Sequence, residues 1–231
     1  MISSPFGVVL SCEHASARTP PGLDLGVPAS HLGHEVWDPG ALDVAQALAL
    51  RLAAPLLSGQ VNRLVCDLHR RETHPEVTRA DAWGLAVPGN AGLSPQARAA
   101  RLAAFHAPFR RALRAEVDRA IGLHSACAHV SVHSFTPHLP HGERDLDVGV
   151  LFRPDRAFAT AVGDALLAAL AQAGFDARLN QPYQGVGEAT TTWLEEQLPD
   201  RRYAGVEIEL SQRLDDVALA RVVEALAYAL S

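Results

Sequence analysis

Gly7-Val8-Val9-Leu10-Ser11-Cys12, followed at once by Glu13-His14-Ala15-Ser16, is an apolar run that stops on a charged pair. A short apolar run of this kind reads as a strand buried on both faces, as in parallel sheets. The end of such a strand is a rigid place to aim an ionisable side chain, and sites in open α/β sheets gather at the carboxyl ends of strands. The rest of the chain repeats the pattern. Residues 61–67, 128–132, 148–152, 175–179 and 204–210 read as strands. Helical patterns lie between them. Asp38 as N-cap with Pro39 at the first helical position opens a helix to about residue 54. Ser94-Pro95 opens a long one that Pro108 should kink or split. An alanine-rich helix over 155–173 stops at Gly174 as a C-cap, a short one covers 190–198, and an amphipathic one closes the chain over 215–230. This alternation predicts an α/β fold of three layers, with a mixed, largely parallel sheet and helices on both faces. No repeat or linker divides the chain, so residues 1–231 are expected to form a single domain.

With 231 residues and 48% hydrophobic composition, the chain can build a sizeable core. Its net charge of -6 argues against nucleic acid or an anionic membrane as partner, while leaving room for a local cationic pocket. No segment is long and apolar enough to suggest a membrane span, and residues 1–6 lack the basic start of a signal peptide. Cytoplasmic location is the expectation. Cys12, Cys66 and Cys127 form no CxxC pair and are read as buried free thiols of a reducing compartment. Cys12 is expected to be a small core hydrophobe rather than a nucleophile. No GxSxG elbow occurs, and Gly89-Asn90-Ala91-Gly92 lacks the lysine of a phosphate loop.

Four strand ends present polar groups. The first gives Glu13 and His14. The second, Arg63-Leu64-Val65-Cys66-Asp67-Leu68-His69-Arg70, gives arginines, an aspartate and a histidine. The third gives His133. The last, Val206-Glu207-Ile208-Glu209-Leu210, alternates strictly, so both glutamates share one face. Two histidines and a carboxylate from separate elements make a catalytic zinc site when one position stays open. A nearby glutamate can accept the proton of a metal-bound water, and arginines can grip a substrate carboxylate. The long loops 15–37, 68–93 and 134–147 are expected to carry function. Plainer readings stand beside these. Asp38 is a good helix cap. The arginines from Arg98 to Arg119 suit a solvated helix face, and His31, His34, His138 and His141 suit exposed loops.

Taken in order, several motifs resemble those of the N-formylglutamate amidohydrolase family. They are Cys12-Glu13-His14-Ala15-Ser16 with Arg18 and Pro20, Trp37-Asp38-Pro39-Gly40-Ala41, and Asn62-Arg63 with Asp67-Leu68-His69-Arg70. His133-Ser134-Phe135, Asn180-Gln181-Pro182-Tyr183 with Gly185, and Glu207-Ile208-Glu209-Leu210 complete the set. That family is related to zinc carboxypeptidases and aspartoacylases, which split an amide beside a carboxylate with a zinc-activated water. The resemblance implies a zinc carboxypeptidase-like sheet, one Zn2+ ion, and a small N-acyl amino acid such as N-formyl-L-glutamate as substrate. It implies that His14 and His133 are the imidazole ligands and that Glu209 is the general base, with Glu207 its rival. It implies that Arg70, with Arg63, holds the substrate carboxylate. His69 stands beside that clamp where the relatives carry asparagine. The second ligand is expected from Asp38 or Glu13. Adjacent residues of an extended chain point to opposite faces, which favours Asp38 beside His14 and makes Glu13 a group that orients a ligand. The nearer alternative is a carboxypeptidase-like peptidase or an aspartoacylase-like deacylase, and the remoter one a non-catalytic binding protein. A homo-oligomer is compatible with each.

Overall fold

In the computed structural model, which describes residues 6–28, 33, 35–82, 84–139, 142–199 and 202–231, strands and helices alternate. His31, His34 and His141 lie outside the described residues. β1 (Gly7–Cys12) leads through a long loop to α1 (Ala41–Leu52) and β2 (Leu56–Ser58). A loop follows with a short pair, β3 (Asp81–Ala82) and β4 (Leu85–Ala86). α2 (Pro95–Arg101) and α3 (Ala107–His124) precede β5 (Cys127–Phe135). A second short pair, β6 (His138–Leu139) and β7 (Gly142–Glu143), precedes β8 (Val148–Leu151). α4 (Ala157–Gln172), β9 (Ala177–Leu179), α5 (Thr190–Gln197), β10 (Tyr203–Ser211) and α6 (Asp216–Leu230) complete the chain.

The central sheet has the order β2-β1-β5-β10-β8-β9. β8 runs antiparallel to β10 and every other pairing is parallel. The predicted mixed, largely parallel sheet is therefore present. Its two faces differ in chemistry. Leu10, Val130, Val132, Val206, Ile208 and Leu210 pack against α1, α4 and α6 in the main core. Val9, Cys127 and Tyr203 point the other way, toward Leu113 and Val117 of α3 and Leu194 of α5. Alternation puts Ser11, His129, Ser131, His133, Glu207 and Glu209 on this second face as well, so a buried polar stripe runs along the three central strands. No described helix is long and apolar enough to cross a membrane.

Three expectations change. Residues 61–67 do not form a strand. The Asn62 side chain accepts from the backbone N–H groups of Leu64 and Val65, at 3.0 and 3.1 Å, and curls the segment into turns. The strand between α1 and this segment is β2, which pairs with β1 at the sheet edge. Asp38 is not a helix cap: α1 begins at Ala41, with Gly40 left-handed at its N-cap, and the Asp38 carboxylate is used elsewhere. The arginine series is only partly a solvated face. Arg114 and Arg119 pair with Asp118 and Glu116 on the surface. Arg98, Arg101 and Arg110 turn inward and donate to backbone carbonyls of the 68–93 loop and its neighbours. A loop laid over a protein surface leaves carbonyls that need donors, and these arginines supply them. The expected break in the long helix lies just before Pro108: a π-turn over Leu102–His106 separates α2 from α3. The long loops carry their own small core, with Leu25, Val36, Leu64, Val65 and Val77 buried together.

Candidate active site

The carboxyl ends of β1, β5 and β10 open into a cavity of about 390 Å³. Its wall includes His14, Asp38, Arg63, His69, Arg70, His133 and Glu209. All seven residues expected at a site therefore meet at one place. Backbone contacts explain how distant segments converge. The Asp38 N–H donates to the His14 carbonyl at 2.9 Å, and the Arg63 N–H to the Val36 carbonyl at 3.1 Å. The Asn62 amide donates to Ala17 and Thr19, which ties the turn at 62–65 to the loop after β1.

His14, Asp38 and His133 each offer a ligand atom within 4.8 Å of the other two, and all three are buried. His133 Nδ1 lies 2.8 Å from Asp38 Oδ2, and His14 Nδ1 lies 3.3 Å from the same oxygen. The far nitrogens of both rings meet acceptors. His14 Nε2 donates to Asp67 Oδ1 at 2.8 Å. His133 Nε2 lies 2.9 Å from Ser131 Oγ and 3.4 Å from Glu13 Oε2. Each imidazole thus turns its Nδ1 toward Asp38 while a carboxylate system behind it fixes the ring, which is how metal-binding histidines are commonly held. The donor set fits a divalent ion of the zinc type, with the cavity as its open side.

Glu13 also belongs to a second group with His69 and His133 whose atoms meet the same distance limit. Its oxygens are already engaged: Ser11 Oγ donates to one at 2.9 Å and Ser131 Oγ to the other at 2.6 Å. The chain of bonds runs deeper. Ser11 gives its proton to Glu13, so His129 Nε2–H must donate to Ser11 Oγ, 2.8 Å away. His129 Nδ1 then accepts from the Tyr203 hydroxyl at 2.6 Å. Burial pushes His129 down to about 4, which keeps it neutral and suits this single tautomer.

The charges at the site follow from the same contacts. Burial works against ionised Asp38, yet Arg63 and His14 hold it well below the usual carboxylate range. Burial likewise opposes ionised Glu13, and His133 holds it low. Burial would neutralise His133, but hydrogen bonds to Asp38 and Glu13 raise it well above the ordinary histidine value. Burial and then the neighbouring His133 keep His69 neutral. Its ring lies 4.6 Å from that of His133 and 5.7 Å from that of His14. Three ionised carboxylates around these rings, the third being Asp67, create a local demand for a cation.

Glu209 pairs in register with His133 across the β5–β10 ladder. Its Oε2 has no hydrogen-bond partner among the described residues. Burial, with Asp38 and Glu207 nearby, pushes it up to about 8. Glu207 is more engaged: Thr191 Oγ1 donates to it at 2.5 Å, and His69 Nε2 lies 3.7 Å away. Arg63 grips Asp38, and Arg70 lies 3.9 Å from Glu76 at the cavity edge. Two carbonyl contacts, from His106 and from buried Arg110, pin the Arg70 backbone.

Three features at the site were not assigned from the sequence. Asp67 lay inside a quoted motif without a role. His129-Ser131-His133 alternates as plainly as the glutamates of β10, a usable signal. Arg144 sat in a loop marked only by its length. The Asn180 motif has a structural account: its side-chain oxygen accepts from the Phe152 and Gly185 N–H groups and seats the following loop, so that Tyr183 lines the cavity.

The family model described as N-formylglutamate amidohydrolase matches residues 6–214. A gene product of Agrobacterium tumefaciens of solved structure shares 31% identity and superposes with a TM-score of 0.85, covering 99% of this chain and 90% of that one. An N-formylglutamate amidohydrolase from Ralstonia eutropha JMP134 shares the fold at 16% identity and a TM-score of 0.78, covering 99% of this chain and 93% of that one. Comparison with curated proteins gives no match.

Proposed function

The chain belongs to the N-formylglutamate amidohydrolase family, and from that premise we propose that it is a metal-dependent hydrolase of N-acyl amino acids, with N-formyl-L-glutamate as the leading substrate. Amide hydrolysis of a small molecule is the chemistry of the family. The observation that carries the finer reading is the meeting of His14, Asp38 and His133 within 4.8 Å at a cavity that Glu209 also lines.

His14, Asp38 and His133 would hold the ion, zinc by the chemistry of the donors. When bound, such an ion acidifies water and polarises a carbonyl. Asp67 and Glu13 keep the two imidazoles in the tautomer that leaves Nδ1 free to bind. Glu209 takes a proton from the attacking water and returns it to the leaving nitrogen. Its free oxygen supports this role over Glu207, which Thr191 already occupies. A nearby cation lowers the carboxyl from about 8 toward the working range of a base. Arg63, His69 and Arg70 form the substrate side. Arg63 also steadies Asp38.

Glu209→Gln tests the assignment. The variant should retain its metal and lose about 10²- to 10⁴-fold in kcat. Metal content and turnover are measured on the same sample. Full activity with metal retained would move the base role elsewhere. A panel of N-formyl, N-acetyl and peptide substrates ranks the acyl group, and faster turnover of peptides than of any N-acyl amino acid would overturn the substrate assignment.

A further inference from the structure

Four arginines line the cavity, and three face carboxylates. Arg63 is on Asp38, while Arg79 and Arg70 lie 3.2 and 3.9 Å from Glu76. Arg144 differs. Its Nη1 donates to the Tyr183 hydroxyl at 2.9 Å and to the Thr136 carbonyl at 3.4 Å. Its guanidinium carbon lies 4.7 Å from the centre of the Tyr183 ring and 5.9 Å from that of Phe135. The Arg144 N–H donates to the Pro137 carbonyl at 2.8 Å and anchors the backbone. Among the described residues no carboxylate lies within ion-pair distance of Arg144, and Nε and Nη2 have no acceptor.

A guanidinium held only by neutral groups is fixed in place while keeping its full charge. The Nε–Nη2 edge has the fork that matches a carboxylate in bidentate fashion. Tyr183 and Arg144 also border a second cavity of about 280 Å³, which shares Asp38, Arg63 and Ser134 with the first. Arg144 therefore stands where a substrate leaving the metal ligands would next place a charged group. We propose that Arg144 is the carboxylate receptor of this cleft, binding a carboxylate of the amino-acid half of the substrate. Arg63 and Arg70, each facing a protein carboxylate, take secondary places beside it on the substrate side. The inference rests on the amide-hydrolase reading for the nature of the ligand.

The test is binding rather than turnover. N-formyl-L-glutamate and its diamide are titrated calorimetrically into Glu209→Gln protein, with and without Arg144→Gln. The expected result is a loss of about 10- to 100-fold in affinity for the acid and none for the diamide, the scale of a charge-assisted hydrogen-bond pair. Arg144→Lys should restore part of it. Equal loss for both ligands would make Arg144 a structural support, and no loss for either would place the receptor elsewhere; both overturn the proposal. Hydrolysis by the parent protein is measured separately. If hydrolysis fails while binding still discriminates acid from diamide through Arg144, the function falls and the receptor stands.

Discussion

Glu13 is buried and ionised because each of its oxygens accepts from a serine hydroxyl and His133 lies beside it. Replacing it by glutamine swaps one acceptor for a donor. The amide nitrogen then faces a serine that must turn its own proton away, and His133 Nε2 loses the anion that fixes its tautomer. Glu13→Gln is therefore expected to weaken metal retention by about 10- to 100-fold, the usual cost of losing an outer partner of a ligand. Competition with a chromogenic chelator measures this without any assay of activity. Unchanged retention would mean that Ser131 alone positions the ring. Tyr203→Phe, at the far end of the same chain of bonds, removes a donor to His129 and should have a much smaller effect on the metal.

The ends of β1 and β2 must come close for His14 to reach the cavity, and Gly59 makes that approach. A Cβ at this position would lie 2.0 Å from the Glu13 carbonyl oxygen, a backbone atom that cannot step aside. The Gly59 N–H itself donates to the Cys12 carbonyl at 2.9 Å. Gly59→Ala should push the β1 end outward, cost about 1–3 kcal/mol in stability as overpacking does, and weaken metal binding as well. Denaturant midpoints and chelator competition check the two effects. An unaltered midpoint would show that the β2 turn yields. Elements of this kind also mark how far the sequence could be read. β1 was legible as an unbroken apolar run that stops on a charged pair, and β5 and β10 because their apolar residues repeat every second position. The apolar run at 61–67 misled because periodicity does not register a side chain, Asn62, that makes its own turn. Asp38 looked like a cap because a short carboxylate just before a helix suits a cap, and nothing local reveals that Arg63, His14 and His133 will converge on it instead. Arg110 looked solvated because nothing local reveals that a loop 40 residues earlier will need its protons.

At the scale of the whole molecule the sheet separates two environments. The face under α1, α4 and α6 is apolar, while the face under α3 and α5 carries the polar stripe that ends in the site. Sequence alternation and the motif order conveyed this architecture and the seven residues that meet at one cavity. They did not convey which carboxylates stand behind the imidazoles, since those contacts depend on three-dimensional packing. Burying acids on the second face has a cost that varies with pH, and Glu195 of α5 isolates it away from His14, Asp38 and His133. It is 3% exposed, and neither oxygen has a hydrogen-bond partner of good geometry among the described residues, with Arg153 Nε 3.7 Å away. Burial pushes it from 4.5 up to about 7, against the pull of Arg156 and Arg153. Between these values the folded chain keeps a proton that the unfolded chain has released. The contribution of Glu195 to stability is therefore full below pH 4.5, declines as pH rises, and is lost once pH has passed about 7. Glu195→Gln fixes the neutral form. Its stability relative to the parent should rise between pH 5 and pH 8 by up to about 3 kcal/mol, since one pKa unit corresponds to about 1.4 kcal/mol. Denaturant unfolding of both proteins across that range measures the difference directly. Curves that stay parallel would show that Arg153 or Arg156 moves to neutralise the carboxylate, and the cost of the polar face would then have to be sought in the stripe itself.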